Sequence, residues 1–420
     1  MNYIPRLADQ VLADRLEAKG AVLIEGPKWC GKTTTAKQIA KSVIEMDHPV
    51  RSVQYKEMAE INPGLLLEGD NPRLIDEWQV AKKLWNAIRY EVDRRNEFGQ
   101  FILTGSAVPP EYDESMHSGT GRISRMMMRP MSLYESGNSN GQVSLKELFA
   151  GKSASAVNGH DIQEIAFLIC RGGWPRAIGA SERVALRQAI DYFDAVVNVD
   201  ISRTDGVRRD PEKAKRLLRS YARNLASQTP LETYRSDMDS NDPVSNDTLY
   251  SYLSVLRRLF VLEDTPAWNP NLRSKTAIRT TDTRYFTDPS VAAAALGIGP
   301  QDLINDLNTM GLFFENLCIR DLRVYADVLD GTVYHYRDKS GLECDAVLHL
   351  RNGQYGLIEI KLGGDKLIQE GVETLRKLTE KIDIEKMNTP SFRMVLTGNS
   401  PYAYQREDGI VIVPVGCLKP

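Results

Sequence analysis

Three things are scarce in this 420-residue chain, and each scarcity removes a class of protein. Cysteine is the first: Cys30, Cys170, Cys318, Cys344 and Cys417 are widely scattered, with no CxxC pair and no Cys/His cluster. Neither a disulfide-stapled secreted scaffold nor a structural zinc site is thereby indicated. Long apolar runs are the second, since none approaches the roughly 18 residues that a membrane-spanning helix needs. The opening MNYIPRLADQVLADRLEAKG is charged throughout and lacks the apolar core of a signal peptide, so a cytoplasmic protein with no membrane partner is expected. Surplus charge of one sign is the third: 53 Lys and Arg against 56 Asp and Glu leave −3, which excludes a globally basic nucleic-acid binder but not a local basic face.

The hydrophobic share of 42% is enough for folded cores and rules out a mainly disordered chain. At about 150 residues per domain, two to three domains are expected. Apolar strand-like runs, Ala21–Glu25, Leu74–Asp76 and Gln100–Thr104, alternate with helical patterns up to residue 135, as in a parallel α/β layer. Residues 136–160, rich in Gly, Ser and Asn, read as a linker with a short helix at Ser144–Phe149. From 161 to 300 the pattern is helical. Leu186, Ile190, Phe193 and Val197 recur at helical spacing after a cap at Ser181, and a basic helix spans Pro211–Leu225. A further helix, Ser245–Leu259, leads into the strand-like FVLED, the order of a winged helix. From 301 to 420 the order is α-β-β-β-α-β, beginning with the GLFFEN helix.

GPKWCGKT, Gly26–Thr33, matches G-x-x-x-x-G-K-[ST] between a strand and the helical run TTAKQIAKSVI. Glycines let the backbone curl so that N–H groups face phosphate oxygens, and the helix N-terminus adds partial positive charge. Gly26, Pro27, Lys28, Trp29, Cys30, Gly31, Lys32, Thr33 and Thr34 are the candidate ATP-binding residues. Lys32 reaches the β- and γ-phosphates, and Thr33 ligates Mg²⁺. In LIDE, Asp76 holds Mg²⁺ and Glu77 serves as general base for the attacking water; a solvated acidic turn is the alternative. Thr104 and Ser106 in LTGS are candidate γ-phosphate sensors. Among Arg122, Arg125 and Arg129, Arg122 is the first choice for an arginine finger, in cis or from a second subunit. No guanine-reading NKxD motif occurs, which favours ATP.

Near the end of the chain, Glu315, Asp345, Glu359 and Lys361 form an E…D…ExK set. Alternation along a strand points Glu359 and Lys361 to one face. In nucleases such a set places carboxylates on Mg²⁺ while the lysine orients water; the alternative is an ion-pair network in which Lys361 neutralises Glu359 and Asp345. GGWP, Gly172–Pro175, reads as a tight turn with Trp174 packed as an anchor.

GPKWCGKT, LIDEWQ, LTGS, GRISRMMMRPMSLYE, GGWP, the GLFFEN helix and ECDAVL…IEIK together resemble the bacterial and archaeal AAA-type ATPases that carry a C-terminal domain of unknown function with a restriction-endonuclease-like core. The resemblance spans nearly the whole chain. It implies an α/β P-loop NTPase domain at 1–135, a helical and winged-helix-like segment at 161–300, and a restriction-endonuclease-like α/β domain at 301–420. Bulky Lys28, Trp29 and Cys30 inside the loop, and Arg73 in the acidic strand, depart from the pattern.

Three functions fit: a Mg-dependent ATPase coupled to DNA or a protein partner, an ATP-gated nuclease, or a slow nucleotide-dependent switch. The best local DNA surface lies between Arg203 and Asn224, with eight Lys/Arg against three Asp/Glu.

Overall fold

The computed structural model describes residues 3–105, 119–238, 243–268, 281–382 and 387–420. The chain divides into two compact units. Unit 1 is Met1–Pro130 with the short pieces Ser202–Val207 and Arg258–Phe260; unit 2 is Met131–Ile201, Arg208–Arg257 and Val261–Pro420. Unit 2 contains both of the expected segments, 161–300 and 301–420, apart from the short pieces Ser202–Val207 and Arg258–Phe260. Among the described residues, no helix is long and apolar enough to cross a membrane.

Unit 1 holds strands β1 (Ala21–Glu25), β2 (Ser42–Glu45), β3 (Arg73–Asp76), β4 (Phe101–Thr104) and β5 (Ile123–Met127), with helices α1 (Leu7–Ala18), α2 (Lys32–Ile39), α3 (Ser52–Ile61) and α4 (Lys83–Arg95). The strands pair in the order β2-β3-β4-β1-β5, every pair parallel. Parallel strands are covered on both faces, which is why AVLI and FIL are continuous apolar runs. On α4, Leu84, Trp85, Ile88 and Val92 are buried at helical spacing, and the Trp78 and Trp85 rings lie 5.0 Å apart. The helix after the phosphate-binding loop ends at Ile39, earlier than expected, because Ser42–Glu45 pairs with β3 as an edge strand. Its β-branched Val43 and Ile44 suit the sheet better than a helix.

Unit 2 has a seven-stranded sheet in the order β7-β12-β13-β11-β10-β9-β8. Its strands are β7 (Ala156–Val157), β8 (Gly331–Arg337), β9 (Glu343–Leu350), β10 (Tyr355–Lys361), β11 (Phe392–Thr397), β12 (Tyr402–Gln405) and β13 (Val411–Pro414). β8, β9 and β10 run antiparallel, whereas β10, β11 and β13 run parallel. The helix Asp365–Lys381 buries Ile368, Val372, Leu375 and Leu378 against Val347, Leu357, Val395 and Ile412 of this sheet.

The expected linker at 136–160 is stitched into unit 2. Within it, β6 (Val143–Ser144) pairs with β14 (Leu418–Lys419), and β7 pairs with β12. Ser139 Oγ donates to the Leu418 carbonyl at 2.6 Å, and Asn140 N–H donates to the Gly416 carbonyl at 2.9 Å. Ser144 caps the short helix Leu145–Phe149.

The middle segment holds the helices Pro211–Arg223, Leu231–Met238 and Asn246–Arg258. In place of a FVLED strand, the described residues show the isolated bridges Leu262↔Phe286, Thr265↔Thr283 and Ala267↔His335. Phe260, at φ 56, interrupts the extended run. The helix Glu182–Ala195 buries Ala185, Ala189, Tyr192 and Phe193, while Ile190 is exposed, so its core face is rotated from the Leu186–Ile190 stripe.

GGWP is a packing hub. Gly172 has φ 70, and a Cβ on Gly173 would sit 2.1 Å from the Met131 carbonyl oxygen. Gly173 N–H donates to Asp288 Oδ2 at 2.9 Å, and Trp174 Nε1 donates to Ser290 Oγ at 3.0 Å. Asp288 in turn accepts from Arg320, which is only 1% exposed and also binds Asp321. Gly173→Ala is expected to destabilise unit 2 by about 2 kcal/mol or more, because the colliding atom is backbone and cannot swing away. Thermal unfolding of the purified variant checks this.

Candidate functional site

The nucleotide-site residues meet because parallel strands all end at one edge. β1, β3 and β4 run together in register (Ile24↔Thr104, Asp76↔Thr104), so the loop after β1 and the last residues of β3 and β4 are neighbours. Crevices of this kind, at the carboxyl ends of strands, are where open α/β sheets bind ligands.

The loop needs its glycines. A Cβ on Gly26, at φ 150, would lie 2.1 Å from the Met128 carbonyl oxygen. Gly31, at φ 104, turns the chain into α2. Trp29 takes φ 67 without being glycine and is 49% exposed. Lys32 is buried, its ammonium donating to the Gly26 and Pro27 carbonyls at 2.8 Å each. Lys28 is half-buried, Cys30 is buried with its thiol on the Met128 carbonyl at 3.4 Å, and Thr34 is exposed on the first turn of α2.

Asp76 is the hub. Its Oδ1 accepts from Thr33 Oγ1 at 2.7 Å and also from Thr104 Oγ1. The geometry thus joins the phosphate-loop threonine, the acidic strand and the candidate sensor at one buried carboxylate. Hydroxyl and carboxylate oxygens are the donors that Mg²⁺ prefers, so Thr33 and Asp76 fit that ion. Glu77 follows in the left-handed region, φ 53 and ψ 44. Burial, with the Asp76 charge beside it, pushes its carboxyl above the usual range, while a hydrogen bond from Gln79 opposes that rise. Ser106 lies outside the described residues.

Arg122 does not join this site. It precedes β5, whose pairing runs Ala21↔Ile123 to Glu25↔Met127, so it sits at the opposite edge of the sheet from Gly26. Its guanidinium pairs with Asp93 at 2.8 Å. A finger role in cis is thereby corrected: the direction of β5 carries Arg122 away from the phosphates. Arg125 pairs with Glu25 at 3.2 Å.

One residue with a clear part in the loop was not legible as such. Arg6, almost fully buried, donates to the Cys30 carbonyl at 2.7 Å and the Arg129 carbonyl at 2.8 Å. In a trans peptide the C=O and the next N–H point oppositely. Holding the Cys30 carbonyl towards Arg6 therefore turns the Gly31 N–H to the other side. Tyr3 shares a 3.0 Å hydrogen bond with Thr35 on α2. The only sequence signal for Arg6 is a lone arginine just ahead of the first helix.

The C-terminal set also comes together, around the Lys361 ammonium. Lys361 Nζ lies 3.0 Å from Asp345 Oδ2 and 2.7 Å from Glu359 Oε2. Asp345 Oδ2 further accepts the Ile360 N–H at 2.7 Å. Glu315 is half-buried and accepts from the Tyr285 hydroxyl. Gly371 lets the helix Asp365–Lys381 close over Glu359, whose Cβ would be 3.3 Å from any Cβ placed there. Among the described residues, no three His, Cys, Asp or Glu converge as a metal ion needs. The Lys361 ammonium thus lies between the Asp345 and Glu359 carboxylates.

Comparison with known proteins matches three family models along the chain. Residues 18–137 match the AAA domain family model, residues 162–302 match a domain of unknown function (DUF8612), and residues 310–418 match another (DUF4143). Unit 1 is accordingly an AAA-type P-loop nucleotide-binding domain. The uncharacterized proteins Rv2008c of Mycobacterium tuberculosis and Mb2031c of Mycobacterium bovis are each 24% identical over 351 residues, 81% of this chain and 70% of theirs. The Walker-type ATPase paby2304 of Pyrococcus abyssi superposes at a TM-score of 0.43 with 15% identity, over 70% of this chain and 96% of its own. Drosophila ORC bound to DNA superposes at a TM-score of 0.22 with 10% identity, over 66% of this chain and 88% of its own.

Burial, with Asp345 next, raises the Glu359 carboxyl to about 8 despite Lys361. A carboxyl raised in the folded state stabilises at low pH, and that contribution is lost as pH climbs from about 4.5 through about 8. Melting temperature should therefore fall from pH 6 to pH 9, and less steeply in Glu359→Gln; parallel slopes would contradict this.

Proposed function

We propose that this protein is a Mg-dependent ATPase that couples nucleotide hydrolysis in unit 1 to binding of DNA or a protein partner. The observation that carries it is the Asp76 hub, where Thr33 and Thr104 converge on one carboxylate beside the phosphate-binding loop. On this reading, Lys32 exchanges the Gly26 and Pro27 carbonyls for phosphate oxygens, and the loop N–H groups and the α2 N-terminus cradle the chain of phosphates. Thr33 and Asp76 would hold Mg²⁺, which would neutralise charge on the transferred phosphoryl group. Thr104 reports on the γ-phosphate. Glu77 takes the proton of the attacking water, and its raised carboxyl makes it the stronger base.

For unit 2 we infer a restriction-endonuclease-like core used as a scaffold. Its element order and the shared strand positions of Asp345, Glu359 and Lys361 support that fold. Lys361 bridging both carboxylates supports a structural use over cleavage. Support for DNA binding narrows to two residues of the basic helix Pro211–Arg223. Arg219 is exposed, and Arg223 is 65% exposed with only a 3.9 Å approach to Asp237. Lys215, Arg257 and Arg258 are ion-paired, and Arg216 donates to the Met238 carbonyl.

Phosphate release, measured with and without duplex DNA, tests the whole reading. Lys32→Ala should lower ATP affinity roughly 10- to 100-fold. Glu77→Gln should keep ATP affinity and lose roughly 10²- to 10⁴-fold in turnover; wild-type turnover in that variant removes Glu77 as base. Arg219→Glu with Arg223→Glu should weaken DNA binding across sequences and flatten its salt slope by about 1 for each DNA phosphate no longer neutralised. DNA without effect on turnover favours a protein partner or a slow switch. Metal-dependent nicking that disappears in Asp345→Ala would establish the nuclease reading instead.

A further inference from the structure

Glu77 is held by a neighbour that the ATPase reading has not used. Residues Trp78–Val80 form a 3-10 turn, closed by Val80 N–H on the Glu77 carbonyl at 3.0 Å. The turn brings the Gln79 side chain back alongside Glu77, and its Nε2 donates to Glu77 Oε2. The other end of the same amide is buried, and Gln79 Oε1 has no hydrogen-bond partner among the described residues. That oxygen lies against the chain at the end of β4: a Cβ on Gly105 would come within 2.6 Å of it. Gly105 directly follows Thr104, whose hydroxyl is on Asp76. A buried acceptor without a partner is costly, and a left-handed glutamate is strained. Both sit on one short path from β4 to the catalytic carboxylate.

We propose that Gln79 is the positioning residue for Glu77: its amide N–H holds the carboxylate while its carbonyl end rests against Gly105, so that β4 and the base are set together. This rests on Glu77 acting as the general base. Gln79 itself touches neither phosphate nor the attacking water; it acts through Glu77. Chemistry selects glutamine here. The position needs a donor towards a carboxylate and a neutral group towards the tight backbone at Gly105. A glutamate would set like charges together, and a methionine would fill the space without the donor.

The test uses the full chain, ATP with Mg²⁺, and steady-state phosphate release beside equilibrium ATP binding. Gln79→Met should lose roughly 10- to 100-fold in kcat, the scale of a misplaced catalytic group, with ATP affinity within about 2-fold of wild type. Gln79→Met added to Glu77→Gln should change kcat no further, because the amide then has no base to position. Gly105→Ala, which crowds Gln79 Oε1, should lower kcat in the wild-type background and not in Gln79→Ala, where the crowded atom is gone. Wild-type kcat in Gln79→Met overturns the proposal. So does an equal further loss of kcat in the Glu77→Gln background, which would mark a merely structural role. Full activity in Glu77→Gln overturns the assignment of the base, and with it this inference, while leaving ATP binding standing. No hydrolysis by wild type overturns both.

Discussion

A buried carboxylate must have its hydrogen bonds filled, and the nucleotide site of this protein is organised around filling those of Asp76. Two hydroxyls do so, one from the first turn of α2 and one from the end of β4. Each donor lies on a different element, so the carboxylate fixes α2, β3 and β4 relative to one another. The parallel sheet makes this arrangement available, because only parallel strands deliver their last residues to a common edge. The left-handed Glu77, the turn behind it and the tight approach at Gly105 all follow from the chain leaving that edge sharply.

Unit 2 solves the same problem with full charges. Arg320 lies between Asp288 and Asp321, and those carboxylates also take backbone N–H groups of Gly173 and Leu133. The guanidinium thus joins the GGWP turn, the chain entering unit 2 and the helix Leu307–Val328 in one buried network. Removing one partner from such a network leaves an uncompensated charge, which is far more costly than the pair is stabilising.

The two carboxylate clusters differ in what they leave available. At Asp76 the partners are hydroxyls, which can share an oxygen-seeking cation. At Asp345 and Glu359 the partner is an ammonium, held by both carboxylates.

The phosphate-binding loop was legible in the sequence because its shape is local: Gly26, Gly31 and Lys32 act through backbone within a few residues. Strand ends at Asp76 and Thr104 were legible for the same reason, as apolar runs closing on a polar residue. Gly-, Ser- and Asn-rich composition made 136–160 look like a linker, but composition cannot register pairing with β12 and β14, which lie far along the chain. Arg122 was misplaced as a finger in cis because local pattern shows a strand without showing which end faces the phosphates. Arg6 reaches Cys30 and Arg129 across 24 and 123 positions, and Gln79 meets Gly105 only because a turn and a strand end converge. Residue chemistry and short-range backbone preference were thus written in the sequence. Only tertiary structure decided which of those residues share a site, because strand direction and long-range pairing depend on the packing of the whole sheet.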